Sequence, residues 1–253
     1  MTAYSAVVHV GRYVVLVAET AWQALRPPFE WRRILYDLDH LGVRSLSITL
    51  ITALFTGMVL ALQGSYALAS FGAKFYIAEI VALSVVRELG PVLTALMVAG
   101  RVGAGIAAEI GSMVVTDQVD AIRTLGASPV KKIVVPKVMA TLIMLPCLTI
   151  LADLVGILGG MVIAMVELKV SPPFYLGHVQ QKLLIGDVMS GVGKSLVFAL
   201  IISTIGCYNG LITTGGADGV GRATTRTVVF ASIGVLISDF FLTKLFMIVF
   251  QSG

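Results

Sequence analysis

Apolar residues occupy this chain in long blocks, with no strict alternation. Ser45 to Ala73 contains no charged residue and is longer than the ~20 residues a helix needs to cross a bilayer. Four more blocks follow: Tyr76 to Ser112, Ile133 to Val166, Gly186 to Thr214 and Thr227 to Phe250. The pattern predicts an all-α polytopic membrane protein with about five membrane segments, and its lack of alternation argues against a lipid-facing barrel. Gly57, Gly64 and Gly72 punctuate the first segment, so it either crosses or breaks and re-enters. Pro136, Pro146 and Asp153 interrupt the third. Upstream, Ser5, His9, Arg12, Glu19, Gln23 and Arg26 fall on one helical stripe, with Val7, Val8, Val14, Val15, Trp22 and Leu25 elsewhere around the helix. This predicts an interfacial amphipathic helix over 1–26, ended by Pro27 and Pro28. A second short helix is expected from Phe29 to His40, its Arg32, Arg33, Trp31 and Tyr36 suited to the headgroup layer. No internal repeat is visible, and residues 1–253 read as one domain.

Composition narrows the class. Of 253 residues, 57% are hydrophobic and 13% charged, against about 25% charged in soluble domains. A soluble domain, a disordered chain and a nucleic-acid binder are excluded on this ground. With the N-terminus in the cytoplasm and five crossings, Arg12, Arg26, Arg32, Arg33, Arg44, Arg123, Lys131, Lys132, Lys137, Arg222 and Arg226 fall inside, and only Lys74, Lys169 and Lys182 outside. That asymmetry follows the positive-inside rule and puts the C-terminus outside. Cys147 and Cys207 sit in apolar runs as packing residues, and His9, His40 and His178 are scattered, so no metal site is expected. The N-terminus lacks a basic region followed by an apolar core and a small-residue site, so no cleavable signal peptide is expected.

Two stretches carry candidate chemistry. Between the second and third segments, residues 116–126 read as a short cytoplasmic helix. Thr116 is expected as its N-cap, Asp117 favours the positive end of its dipole, and Gly126 and Pro129 stop it. Val119, Ile122 and Leu125 recur at spacing three. Such a helix transmits a push from a soluble partner, or is an ordinary capped connection. Within the apolar runs, Arg87 and Glu88 precede Pro91, and Lys194 opens the fourth run. Charges inside the membrane are rare and face a cavity or one another. Arg87 and Lys194 suit a lipid phosphate with Glu88 balancing them; equally, the three suit an interhelical ion pair without ligand. Leu60, Gln63, Tyr66, Leu68 and Phe71 either wall a cavity for lipid tails or pack between helices. Arg101 is expected to snorkel or pair, Glu109 to seat the short helix, and Asp153 and Asp239 to make interhelical hydrogen bonds. In the expected loop Gly219 to Arg226, Arg222 and Arg226 read as topology determinants. Gly191-Val-Gly-Lys-Ser195 is not a phosphate-binding loop, because Val188 stands where that loop requires glycine. The chain itself is therefore not expected to hydrolyse ATP.

Several motifs carry a resemblance. Asp120-Ala-Ile-x-x-x-Gly126 followed by Ile133-x-Val-Pro136 is similar to the coupling-helix signature of ABC permeases, with Asp for Glu, Ile for the second Ala and a shorter spacer. Val86-Arg-Glu-Leu-Gly-Pro-Val-Leu-Thr-Ala-Leu96, Ala99-Gly-Arg-Val-Gly103, Ala108-Glu-Ile-Gly111, Thr116-Asp-Gln118 and Gly221-Arg-Ala-Thr-Thr-Arg-Thr-Val-Val229 resemble the MlaE family of permeases from MCE-associated lipid transporters. The resemblance runs from about Leu41 to the end. It implies a homodimer in the bacterial inner membrane, with two ABC ATPase subunits carrying ATP and Mg on its cytoplasmic face. It also implies a hexameric MCE-domain protein on the periplasmic face and, in some systems, a small STAS-domain protein. The implied substrate is phospholipid, moved to preserve outer-membrane asymmetry. The chain would then be a non-catalytic permease without a cofactor of its own. Arg87, Glu88 and Lys194 would lie near the lipid cavity, and Asp117, Gln118, Asp120, Ala121, Ile122, Arg123 and Gly126 would couple to the ATPase. The alternative is an ion-coupled secondary transporter using Asp153, Glu88 or Asp239; it predicts inverted repeats and leaves the short helix without a role. An intramembrane lipid enzyme needs a convergent nucleophile and base, which the scattered histidines do not offer.

Overall fold

The structure is a computed structural model that describes residues 3–27, 30–69 and 76–251. Expectations resting on Pro28, Phe29, Phe71, Gly72 and Lys74, and on the side chain of Ser5, fall outside the described residues. Among the described residues all regular structure is helical. Helix α1 covers Ala3–Ala24. Helix α2, Trp31–Asp37, runs through a π-turn at Leu38–Gly42 and a tight turn at Val43–Ser45 into α3, Leu46–Ala69. The expected separate helix before the first span is thus its continuation. That span is an unbroken helix through Gly57 and Gly64.

The second span threads α4 (Ile77–Ser84), α5 (Gly90–Val98) and α6 (Ala104–Val115) through π-turns at Val85–Leu89 and Ala99–Gly103. Helix α7 is short, Gln118–Thr124. A π-turn at Val130–Val134 opens α8, Val135–Leu168, which stays helical through Pro146. The expected interruption at the prolines is therefore absent: the helix runs through Pro146, and Pro136 follows directly on the π-turn. Helix α9 (Pro172–Lys182) precedes α10 (Ile185–Leu211) and α11 (Gly216–Gln251). Residues 219–226, expected as a loop, are the first turns of α11. Among the described residues, five helical stretches are long and apolar enough to cross a membrane: Trp31–Leu68, Ile77–Val115, Val130–Leu168, Ile185–Leu211 and Gly216–Ile248.

The chain forms two compact units. One comprises Met1–Arg44, Val98–Met144 and Phe198–Val235; the other comprises Ser45–Met97, Leu145–Val197 and Leu236–Gly253. In the first, α1 lies against α10: the Tyr13 and Thr204 hydroxyls are 2.8 Å apart, and His9 Nδ1 is 2.8 Å from the Tyr208 hydroxyl. Burial pushes the Tyr13 phenol up, opposed by its bond to Thr204. Leu16 and Thr20 are buried on this face, whereas Val7, Val10, Val14, Val15 and Trp22 are exposed. Polar His9 and Gln23 thus turn toward the protein, and the apolar face turns outward, as an interfacial or lipid-facing helix requires.

In the second unit, α3 and α8 meet backbone to backbone. A Cβ on Gly57 would strike the Gly156 carbonyl, and one on Gly159 the Leu54 carbonyl. Such small-residue contacts hold helices together in lipid, where water supplies no hydrophobic drive. A buried core of Ile77, Val81, Val85, Ile157 and Tyr175 packs beside them. Tyr175 donates to the Ile157 carbonyl at 3.3 Å.

Candidate functional site

The π-turn Val85–Leu89 presents Arg87 and Glu88 together. A π-turn inserts one residue into the helical ladder and re-aims the side chains it carries, which is why such turns gather at functional sites. Lys194 reaches this turn from the third turn of α10. Its ammonium donates to the Arg87 carbonyl at 2.9 Å, to Glu88 Oε2 at 2.6 Å and to Thr243 Oγ1 at 2.7 Å. Asp239 Oδ1 lies 3.0 Å away. The Thr243 hydroxyl passes a bond on to Glu88 Oε1 at 3.1 Å. An ammonium has three N–H groups, and all three are engaged; the Lys194 side chain is 2% exposed.

Arg87 is held differently. Its Nε and Nη2 converge on Asp187 Oδ1 at 2.7 and 2.6 Å. Asp187 also accepts from the Leu184 backbone N–H at 2.9 Å and so caps α10. Arg87, Glu88, Lys194, Asp187, Ser190 and Thr243 line a pocket of about 590 Å³, floored by Phe246 and Met247. A separate groove of about 730 Å³ is lined by Leu60, Gln63, Thr52, Phe55, Thr56, Val59 and Leu89. The same π-turn serves both, Arg87 and Glu88 on the polar pocket and Leu89 on the groove.

The other expected tail-contact residues lie elsewhere. Tyr66 is exposed and lines neither cavity, and Leu68 packs against the core of its unit. Sequence reasoning missed Asp187 and Thr243 as partners of the charged cluster. It expected an interhelical hydrogen bond for Asp153, but Asp153 Oδ1 is buried without a hydrogen-bond partner and presses against Gly90, where a Cβ would strike it.

Helix α7 is shorter than expected. Thr116 is not its N-cap: Thr116 ends α6, donating to the Ser112 carbonyl at 2.9 Å. Asp117 stands at the N-cap position, in the left-handed conformation at φ 59°, and makes no side-chain capping bond. The C-terminus closes as a Schellman motif. The Gly126 N–H bonds to the Arg123 carbonyl at 3.0 Å and the Ala127 N–H to that of Ile122 at 3.1 Å, with Gly126 at φ +74°. Val119 is buried and anchors the helix, while Leu125 is 84% exposed. Gln118, Asp120, Ala121 and Arg123 are exposed as well, and Asp120 pairs with Arg123 at 2.8 Å. Beyond the helix, the Gln23 amide and Ser128 hydroxyl exchange bonds of 3.1 and 3.2 Å, which tie the exit to α1.

Glu109 does not seat α7. It receives Lys137 at 2.6 Å and lies 3.6 Å from Arg33, and Lys137 is also 3.6 Å from Asp37. This second cluster, around a fully buried lysine, was not foreseen.

These features define a class: a multi-pass helical membrane protein with a charged pocket lined by residues of its apolar spans and a short connecting helix followed by an exposed apolar residue. Residues 34–245 match the family described as Permease MlaE, and the chain belongs to that family of ABC transporter permeases. It is 45% identical over 237 residues to a probable ABC transporter permease protein of Rickettsia bellii, covering 94% of this chain and 92% of the relative. A probable ABC transporter permease protein of Synechocystis is 46% identical over 214 residues, 85% of this chain and 81% of its own. The intermembrane phospholipid transport system permease protein MlaE of Haemophilus influenzae is 39% identical over 210 residues, 83% of this chain and 80% of its own.

Proposed function

We propose that this permease moves phospholipid between the inner membrane and a periplasmic MCE-protein path, as half of a homodimer driven by two ABC ATPase subunits, and so maintains outer-membrane lipid asymmetry. The observation that carries the reading is the pairing of cavities around one π-turn. A charged pocket and an apolar groove, sharing Val85–Leu89, match the two chemistries of one lipid. The relationship to the Haemophilus protein supports phospholipid as the cargo.

In this reading the N-terminus and α7 are cytoplasmic, and the C-terminus is periplasmic. ATP binding and hydrolysis, with Mg, belong to the partner, and a STAS-domain subunit joins on the ATPase side. Leu125, with half-buried Ile122 beside it, seats α7 in a cleft of the ATPase, and the exposed Asp120, Ala121 and Arg123 border the contact. Closure of the ATPase pair moves α7 as a rigid piece, because the Schellman closure and the Gln23–Ser128 bonds hold its end. The cavity between the two permease copies then opens toward the MCE channel.

Affinity purification of the tagged chain from its native membrane is expected to bring an ATPase at one copy per permease, MCE protein in excess, and phospholipid. Ile122→Asp and Asp120→Lys are expected to abolish lipid transport and release the ATPase while the permease still folds. Normal transport with an intact complex in both variants removes the coupling role of α7.

A further inference from the structure

The charged pocket has a polarity that the cargo class alone does not explain. Two cationic side chains, Arg87 and Lys194, face three carboxyls, Glu88, Asp187 and Asp239. Lys194 has no donor left for a ligand. The groups that reach the open pocket are one guanidinium and one carboxylate: the Arg87 side chain is 48% exposed and that of Glu88 40%. Arg87 has five N–H groups, of which Asp187 takes one on Nε and one on Nη2, leaving three. Glu88 takes Lys194 on Oε2 and Thr243 on Oε1, and each carboxylate oxygen carries two lone pairs, so acceptor capacity remains on both.

We propose that this pocket selects a zwitterionic headgroup bearing a primary ammonium, the phosphoethanolamine type, over an anionic one: the phosphate meets the free N–H groups of Arg87 and the ammonium meets Glu88. The proposal rests on the transport reading above and names its substrate more closely. The surplus carboxyl charge opposes a guest whose only charge is a phosphate. A guest that carries its own ammonium meets that surplus with a cation and adds a charge-assisted hydrogen bond. Asp187 holds the guanidinium in place, and Thr243 with Lys194 holds the carboxylate, so both arms are fixed before the lipid arrives.

The test uses the full chain in detergent, exchanged against vesicles of equimolar dioleoyl phosphatidylethanolamine and dioleoyl phosphatidylglycerol, with the retained lipid weighed by mass spectrometry. Phosphatidylethanolamine is expected to be enriched roughly fivefold, the scale of one partly exposed ion pair. Glu88→Gln keeps groups that bond Lys194 and Thr243 but loses the charge, and is expected to bring the ratio to one or below. Arg87→Gln is expected to lower retention of both lipids. Glycerophosphoethanolamine, which has the headgroup without tails, is expected to displace none of the bound lipid; displacement means that the site takes a free phosphoester, and overturns the proposal. An equimolar ratio in the unaltered chain overturns it whether or not the variants fold, as does a Glu88→Gln ratio equal to that of the parent. Retention of no phospholipid by the unaltered chain defeats the transport reading itself, whereas retention without headgroup preference leaves that reading standing.

Discussion

Among the described residues, two lysines lie buried in helices long and apolar enough to cross a membrane, and their surroundings differ. Lys137, in the first unit, meets Glu109 at 2.6 Å and Asp37 at 3.6 Å, and Arg33 adds a second cation 3.6 Å from Glu109. Cations and carboxyls are equal in number there. Lys194, in the second unit, meets Glu88, Asp239, Thr243 and a backbone carbonyl, and with Arg87 and Asp187 included the carboxyls outnumber the cations. Each cluster leaves a carboxylate oxygen buried without a hydrogen-bond partner, Asp37 Oδ2 in the first and Asp239 Oδ1 in the second; only the second lines a pocket described above. Burial of a charge is therefore weak evidence of function. A balanced cluster ties helices together, whereas an unbalanced one beside open space has a use for a guest.

On that distinction, the two lysines are expected to fail differently when removed. Lys137→Met has the largest expected effect. It leaves Asp37, whose side chain is 3% exposed, beside Glu109 without the ammonium between them. Breaking a buried pair in this way costs about 3–5 kcal/mol, read as a lowered unfolding temperature in detergent and a poor yield of folded chain. Lys194→Met is expected to cost less, about 1–3 kcal/mol, because Glu88 borders the pocket and water can replace the lysine. Its main loss is expected in bound phospholipid, measured in the same preparation. The reverse order of stability loss breaks the comparison, and equal lipid loss in both variants removes its functional half.

The membrane segments were legible because lipid imposes a crude rule: a long apolar run with few charges. The same rule could not see where helices continue into the polar region. Residues 219–226 carry Arg222 and Arg226 and read as a loop, yet they are helical, since a helix needs no apolar face once outside the hydrocarbon. Arg87, Glu88 and Lys194 were visible as charges inside apolar runs. Their partners were not. Asp187 lies at the start of an apolar run, where an acid reads as a cap, and its bond to Arg87 joins residues 100 positions apart. Lys137 was counted with Lys131 and Lys132 as a topology signal, because a lysine near a span end looks alike whether it snorkels outward or pairs inward. The π-turns left no periodic signature, since a one-residue insertion shifts the helical phase only locally. At α7, Thr116 and Asp117 both have the chemistry of an N-cap, but Thr116 turns back onto α6 and Asp117, left-handed, makes no side-chain capping bond, a choice that residue type alone does not show.

The smallest expected effect tests whether the outer arginines follow the same distinction. Arg33 lies 3.6 Å from Glu109 with both side chains substantially exposed, too far for a good charge-assisted bond, and Glu109 already has Lys137 at 2.6 Å. Arg87, by contrast, places two N–H groups on the buried Asp187. Arg33→Gln is therefore expected to cost less than about 1 kcal/mol, as exposed pairs do, and to leave bound phospholipid unchanged. Thermal unfolding at low and high salt checks the first point: the small loss should shrink further as salt screens the exposed charges. A loss that is large and independent of salt would place Arg33 among the groups that hold Asp37 and Lys137. The first cluster would then depend on an exposed cation as much as on its buried one, and the contrast with Arg87, whose removal is expected to be felt in lipid binding, would reduce to a difference in ligand alone.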